Sequence, residues 1–164
     1  DQFLKPISHD KKFLDYIEKS HYGAHYDTAI KIFRNYPVFG AGLKNYRNES
    51  SKDIYKSGDP DFDQWRWATH PHQIHFEFLS ETGIFGYLSF ILFFLLSISW
   101  SIKSYLNNKN IYQLSSILFV IASVLPILPS GSFFTTYGAT IFWINFSIMI
   151  SYNNKKKNLT YFFR

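Results

Sequence analysis

The sequence predicts an all-α integral membrane protein. A loop region of short helices over residues 1–82 faces outward, three transmembrane helices occupy 83–151, and a basic tail covers 152–164. Three observations carry this expectation. All twelve Asp and Glu and all six His lie before residue 83, whereas between Gly83 and Ile150 the only charged residues are Lys103 and Lys109. Ile84 to Ile102 is an uncharged apolar stretch, long enough at about 1.5 Å per residue to cross about 30 Å of hydrocarbon. Eleven of the 17 Lys and Arg sit in the first region and leave it at −1, so the net +5 comes from six bases in the apolar half. That distribution leaves no folded basic face for nucleic acid. The absence of Cys removes disulfides, thiolate zinc sites and a Cys nucleophile.

Taken in order, residues 1–20 mix charge and aromatics and suggest a short surface helix after Pro6. Residues 26–36 set Ala29, Ile30, Phe33 and Tyr36 near one helical face. Pro37 ends that helix, because the residue before a proline avoids the helical region. In the following PVFGAGLKNYR, Gly40 and Gly42 permit a tight turn, with a phosphate-cradling loop as the sharper alternative. Residues 48–64 are expected to be a polar loop. Asp59, Asp61 and Asp63 imitate the start of a calcium loop, but Gln64 stands where Gly is needed and His70 where Glu is needed. Trp65 and Trp67 suit an interfacial anchor, or alternatively a stacking surface for sugars.

The segment from His70 to Gly86 holds the candidate chemistry. Pro71 suits the first turn of a helix running toward the glycines. On such a helix His72, Phe76 and Leu79 share a face, from which His75 and Glu77 diverge. A histidine titrates near neutrality, so it can accept a proton from a hydroxyl; the alternative is a ring that only caps or hydrogen-bonds its loop. His70, His72 and His75 also spell a possible zinc pattern, but Pro71 and the helix turn splay the rings, so no metal is expected.

Beyond the first span, Pro126, Pro129 and Gly131 interrupt the second uncharged run. The spans are therefore set at about 84–102, 112–128 and 133–151. Lys103 and Lys109 in one loop, and Lys155, Lys156, Lys157 and Arg164 in the tail, put both segments on the cytoplasmic side and residues 1–82 outside. An outward-facing region of this size needs something N-terminal to carry it across. The 164 residues are therefore expected to be the C-terminal piece of a larger multi-span protein and to be inactive alone.

Two further patterns complete the set: Ala29 to Tyr46 (helix, Pro, G-x-G, aromatic), and His72-Gln73, nine residues, Gly83, two residues, Gly86. Together with the tail LPSGSFFTTYGATIFW, they resemble the O-antigen ligase and O-antigen polymerase family of multi-span envelope glycosyltransferases. The resemblance implies a bacterial inner-membrane enzyme with residues 1–82 periplasmic. Its donor would be a glycan on polyprenyl pyrophosphate, and its acceptor a hydroxyl of another glycan or of the lipid A core. No cofactor is implied. His72 would be the base, and Arg34, Arg47, Arg66, His25 and Gln73 would be candidates for binding pyrophosphate or sugar. Gln73 stands where the family usually has Asn, Ser or Arg. The Arg that members often carry before the aromatic matched by Tyr26 is missing; His21 or His25 replaces it, or Arg34, Arg47 or Arg66 serves, or the Arg lies outside this sequence. The competing class is a transporter or non-catalytic envelope scaffold. Transporters usually place ionisable residues inside their spans, and these spans have none.

Overall fold

The computed structural model describes residues 20–126 and 129–153. Of these, 69% are helical and none lies in a strand. The helix expected within residues 1–20 and nearly all of the basic tail lie outside the described residues. The chain divides into two compact units: Asp1–Leu88 with Leu128–Phe134, and Ser89–Ile127 with Thr135–Arg164.

In the first unit, α1 spans His21–Asn35. It starts five residues earlier than the apolar spacing suggested, because the Ser20 hydroxyl caps it by accepting the Gly23 N–H at 3.2 Å. Its buried face runs through Gly23, Ala24, His25, Thr28, Ala29 and Ile32, while Tyr36 ends up exposed. Ala29 and Ile32 join Tyr46 and Tyr55 in a small core, with Ala41, Ala68 and Phe76 packed against it. The expected polar loop instead takes in the end of α2 (Tyr46–Glu49), a 3₁₀ turn (Asp53–Tyr55) and α3 (Pro60–Asp63). Asp59 caps α3, and the Asp63 carboxylate accepts the Ser57 and Gly58 N–H groups and the Ser57 hydroxyl. These carboxylates thus organise their own loop, and no three-ligand metal cluster occurs among the described residues.

The long helix α4, Ile74–Asn108, begins in this unit and continues into the second. It breaks at Gly83, whose φ of 67° and ψ of −167° are non-helical. A break leaves carbonyls before it and N–H groups after it without intrahelical partners. The segment 37–42 supplies them. Ala41 and Gly42 donate N–H bonds to the Ser80 and Glu81 carbonyls at 2.9 and 3.0 Å, and Ile84 donates to Pro37 at 2.9 Å. Two glycines allow this approach. A Cβ on Gly83 would meet the Val38 carbonyl at 2.5 Å, and one on Gly40 would run into the Glu81–Thr82 peptide. Gly40 and Gly42 therefore make a docking turn, not a phosphate cradle, since the N–H groups of Ala41 and Gly42 are already committed.

In the second unit, α4 ends at Asn108 and Asn110 caps α5 (Ile111–Val124) by accepting the Tyr112 and Gln113 N–H groups. Helix α5 stops before Leu125-Pro126, four residues short of the expected end, as the residue before a proline requires. Helix α6 is Thr136–Ser151. Phe94 sits among Phe90, Phe93, Phe142 and Phe146. A polar cluster closes one end: Gln113 donates to the Met149 carbonyl and to Asn153, and Asn153 donates to Ser101. Helix α4 is long and apolar enough to cross a membrane; α5 and α6, at 14 and 16 residues, are shorter.

Replacing Gly40 by Ala should destabilise the protein more than replacing Gly58. Both have positive φ, but nothing lies within 4 Å of a Cβ on Gly58. Gly58→Ala should cost about 1–2 kcal/mol for the left-handed backbone alone; Gly40→Ala adds a collision with peptide atoms. Thermal unfolding in detergent checks this, and equal losses for the two variants would refute the docking account.

Candidate active site

Three histidine rings of the first unit, those of His25, His70 and His72, come together just ahead of α4. Helix α4 starts at Ile74, so Pro71 is not in its first turn; Pro71 is buried in the preceding loop. His72 is likewise outside the helix. It adopts a left-handed conformation with φ 56°, and its carbonyl accepts the Ser130 N–H at 2.8 Å. A left-handed non-glycine residue costs energy unless its surroundings hold it. Gln73 provides part of that hold: its side-chain oxygen accepts the N–H groups of His75 and Phe76 at 2.7 and 3.0 Å and caps α4. This is a local structural task for a residue considered as a substrate ligand.

The left-handed turn brings the His72 ring to His70, 4.1 Å between centroids, and to His25 of α1, 5.1 Å away. Tyr22 stands edge-on at 6.1 Å. His70 Nε2 and His25 Nδ1 are buried without a hydrogen-bond partner among the described residues. Burial, reinforced by repulsion from His72, lowers the pKa of each to about 4. Burial alone lowers that of His72. His75 belongs elsewhere, with Nδ1 at 3.1 Å from the Tyr87 hydroxyl.

The three described arginines are not gathered with these rings. Arg34 is exposed in the last turn of α1, and Arg47 is exposed on α2, its carbonyl accepting the Trp67 indole N–H. Arg66 is buried, and its guanidinium donates to the Ser50 carbonyl and, at 2.7 Å, to the Lys52 carbonyl. It binds the chain after α2 to the approach to α4. Of the two tryptophans, Trp65 packs on His21 at 3.9 Å and Trp67 is exposed.

Two carboxylates on α4 complete the surroundings, and sequence spacing gave little sign of them. Glu81 accepts the N–H groups of Lys44 and Tyr46 at 2.7 and 3.0 Å. Glu77 accepts the Phe133 N–H at 2.8 Å and the Ser132 hydroxyl. Both are almost fully buried, and burial raises both pKa values, that of Glu77 to about 7, against the lowering effect of these donors. Their signal in the sequence was only the i, i+4 spacing of two acids just before an apolar span. Glu77 holds the residues following Ser130, and Ser130 in turn holds the His72 carbonyl.

A carboxylate whose folded pKa is raised stabilises the fold fully below its unfolded value, and that contribution is lost as pH rises through the folded value. The contribution of Glu77 should therefore decline between about pH 4.5 and about pH 7. Melting temperatures measured across that range should fall less for Glu77→Gln than for the native protein. Parallel profiles would remove Glu77 as the titrating group.

A family model described as O-antigen ligase matches residues 9–91, just over half of the chain. The match includes both the docking segment and the His72-to-Gly86 pattern. No curated protein and no solved structure matches the chain. Membership assigns the protein to ligase- or polymerase-type function in envelope polysaccharide synthesis, in a membrane-associated family whose substrates are glycans and lipid-linked molecules. The chain belongs to the O-antigen ligase family.

Proposed function

We propose that the protein transfers a glycan from a polyprenyl-pyrophosphate donor to an acceptor sugar hydroxyl, with His72 as the base. The observation that carries this reading is the position of His72. Its ring is half-buried on a loop outside any helix, its backbone is held by Ser130, and burial lowers its pKa. A neutral imidazole of this kind accepts the proton of an acceptor hydroxyl. The acceptor oxygen then bonds to the anomeric carbon as the carbon–oxygen bond to pyrophosphate breaks. The pyrophosphate leaves with the bonding pair, and the proton stays on His72 until water removes it. The chemistry needs neither a covalent enzyme intermediate nor a nucleotide.

The leaving group requires cationic support. Arg34 and Arg47 are the candidates with exposed side chains, and an Arg fork matches phosphate oxygens. Arg66 is less suited, because two backbone carbonyls occupy its guanidinium.

The topology that goes with this chemistry has three spans, residues 1–82 on the periplasmic side and the tail in the cytoplasm. The lysines at 103 and 109 and the basic tail support it. Helices α5 and α6 reach only about 21 and 24 Å at 1.5 Å per residue. Flanking residues or local thinning of the bilayer must make up the difference.

In the intact enzyme, His72→Ala should abolish glycan transfer with membrane abundance unchanged, and His75→Ala should have a smaller effect. Transfer retained in the His72 variant would refute the assignment. Activity should also fall as pH drops through the lowered pKa of His72, so the acid limb of kcat/KM should lie below 6.5. A limb above that value would point to another base.

A further inference from the structure

We infer that the docking segment 37–43 is a lipid-facing wedge that inserts its apolar side chains at the boundary between headgroups and acyl chains. This rests on the reading that residues 84–102 of α4 cross the membrane.

The first ground is the identity of the exposed side chains. Val38, Phe39 and Leu43 are all exposed, Phe39 to 77%, although each is strongly apolar. In a water-facing turn, three such side chains within six residues would be unusual, and an exposed apolar cluster marks a surface that meets something apolar.

The second is continuity with the apolar stretch. Phe39 stacks on Phe85 with centroids 5.9 Å apart, and Phe85 is itself 61% exposed near the start of that stretch. Because the segment is bonded to residues 80–85, its depth is tied to that of the helix. If Phe85 meets lipid, so does the ring stacked on it.

The third is the backbone. Non-helical chain near hydrocarbon needs partners for its polar groups, and part of this segment's backbone finds them in the fold. Here Gly40 donates to the Tyr36 carbonyl, Ala41 and Gly42 donate to α4, and the Pro37 and Val38 carbonyls accept from α4. Pro37 has no N–H to satisfy. Lys44 follows at once and is exposed, placing a cation where the chain leaves the apolar patch, in the manner of a side chain that reaches back to the headgroups. The occupant is the bilayer itself and not a second protein, because the patch is continuous with Phe85, which meets lipid on this reading.

None of these 164 residues is a cysteine, so each introduced one is the sole label within them. Single variants Phe39→Cys, Leu92→Cys and Asp61→Cys of the whole protein are spin-labelled and reconstituted in phosphatidylglycerol–phosphatidylethanolamine vesicles. Accessibility to oxygen, which partitions into lipid, is compared with accessibility to a water-soluble nickel chelate. Leu92 lies in the apolar stretch and Asp61 in the exposed acidic loop, and they serve as the lipid and water references. The label at 39 should favour oxygen, as at 92, and differ from 61. With 92 in lipid and 39 in water, the wedge is overturned while the span stands. With 92 in water, the spanning reading falls and the wedge with it.

Discussion

When a helix breaks at one residue, the carbonyls of the turn before it and the N–H groups of the turn after it need new partners. In α4 the break falls at Gly83, and the partners come from a segment some forty residues earlier. The first unit depends on this exchange. It fixes where the chain leaves α1, since Pro37 and Val38 are bonded to residues 84 and 85, and it delivers Tyr46 to the core beside Ile32. A helix without the break would have no free carbonyls at Ser80 and Glu81, and residues 37–42 would have no register against it.

The two acids before the break extend the same logic. Buried carboxylates are costly unless hydrogen bonds replace lost water. Each of these meets that demand with donors from another segment: Glu81 from the chain entering α2, and Glu77 from the turn ahead of α6. Burial still outweighs those donors, and both pKa values are raised. The same turn also supplies Ser130, so the carboxylate of Glu77 and the backbone of His72 are held by residues only two or three apart in the chain.

The sequence displayed some of this and hid the rest for physical reasons. The apolar stretch from Ile84 was legible because hydrocarbon excludes charge over a run of fixed length. The turn at Gly40 was legible because glycines tolerate positive φ; what it docks on was not, since a backbone-to-backbone bond leaves no mark on side-chain identity. Gln73 and Arg66 invited assignment as ligands, and the structure shows their side chains bonded to backbone instead. Chemical type reveals that a side chain can hydrogen-bond, but the local geometry decides with what. His25 was suspected only as a stand-in for a missing arginine. Its proximity to His72 follows from the packing of α1, which spacing could not supply.

A base and an anion-binding cation make opposing demands on a transferase site. The base must be neutral and retain enough proton affinity to accept a proton, while the pyrophosphate must meet positive charge. A guanidinium against the imidazole would lower its pKa further and weaken it as a base. The proposed base avoids this: burial lowers its pKa, and burial together with mutual repulsion keeps the rings beside it neutral. Arg66, the arginine that approaches His25 through its backbone, has its guanidinium engaged by carbonyls. In the proposed reaction the charge that meets the leaving group falls to residues on other elements: the proton leaves the acceptor hydroxyl toward His72, and the pyrophosphate leaves the anomeric carbon toward those residues. On that proposal His72 keeps the proton affinity the transfer requires, because the cations that stabilise the leaving group stand apart from its ring.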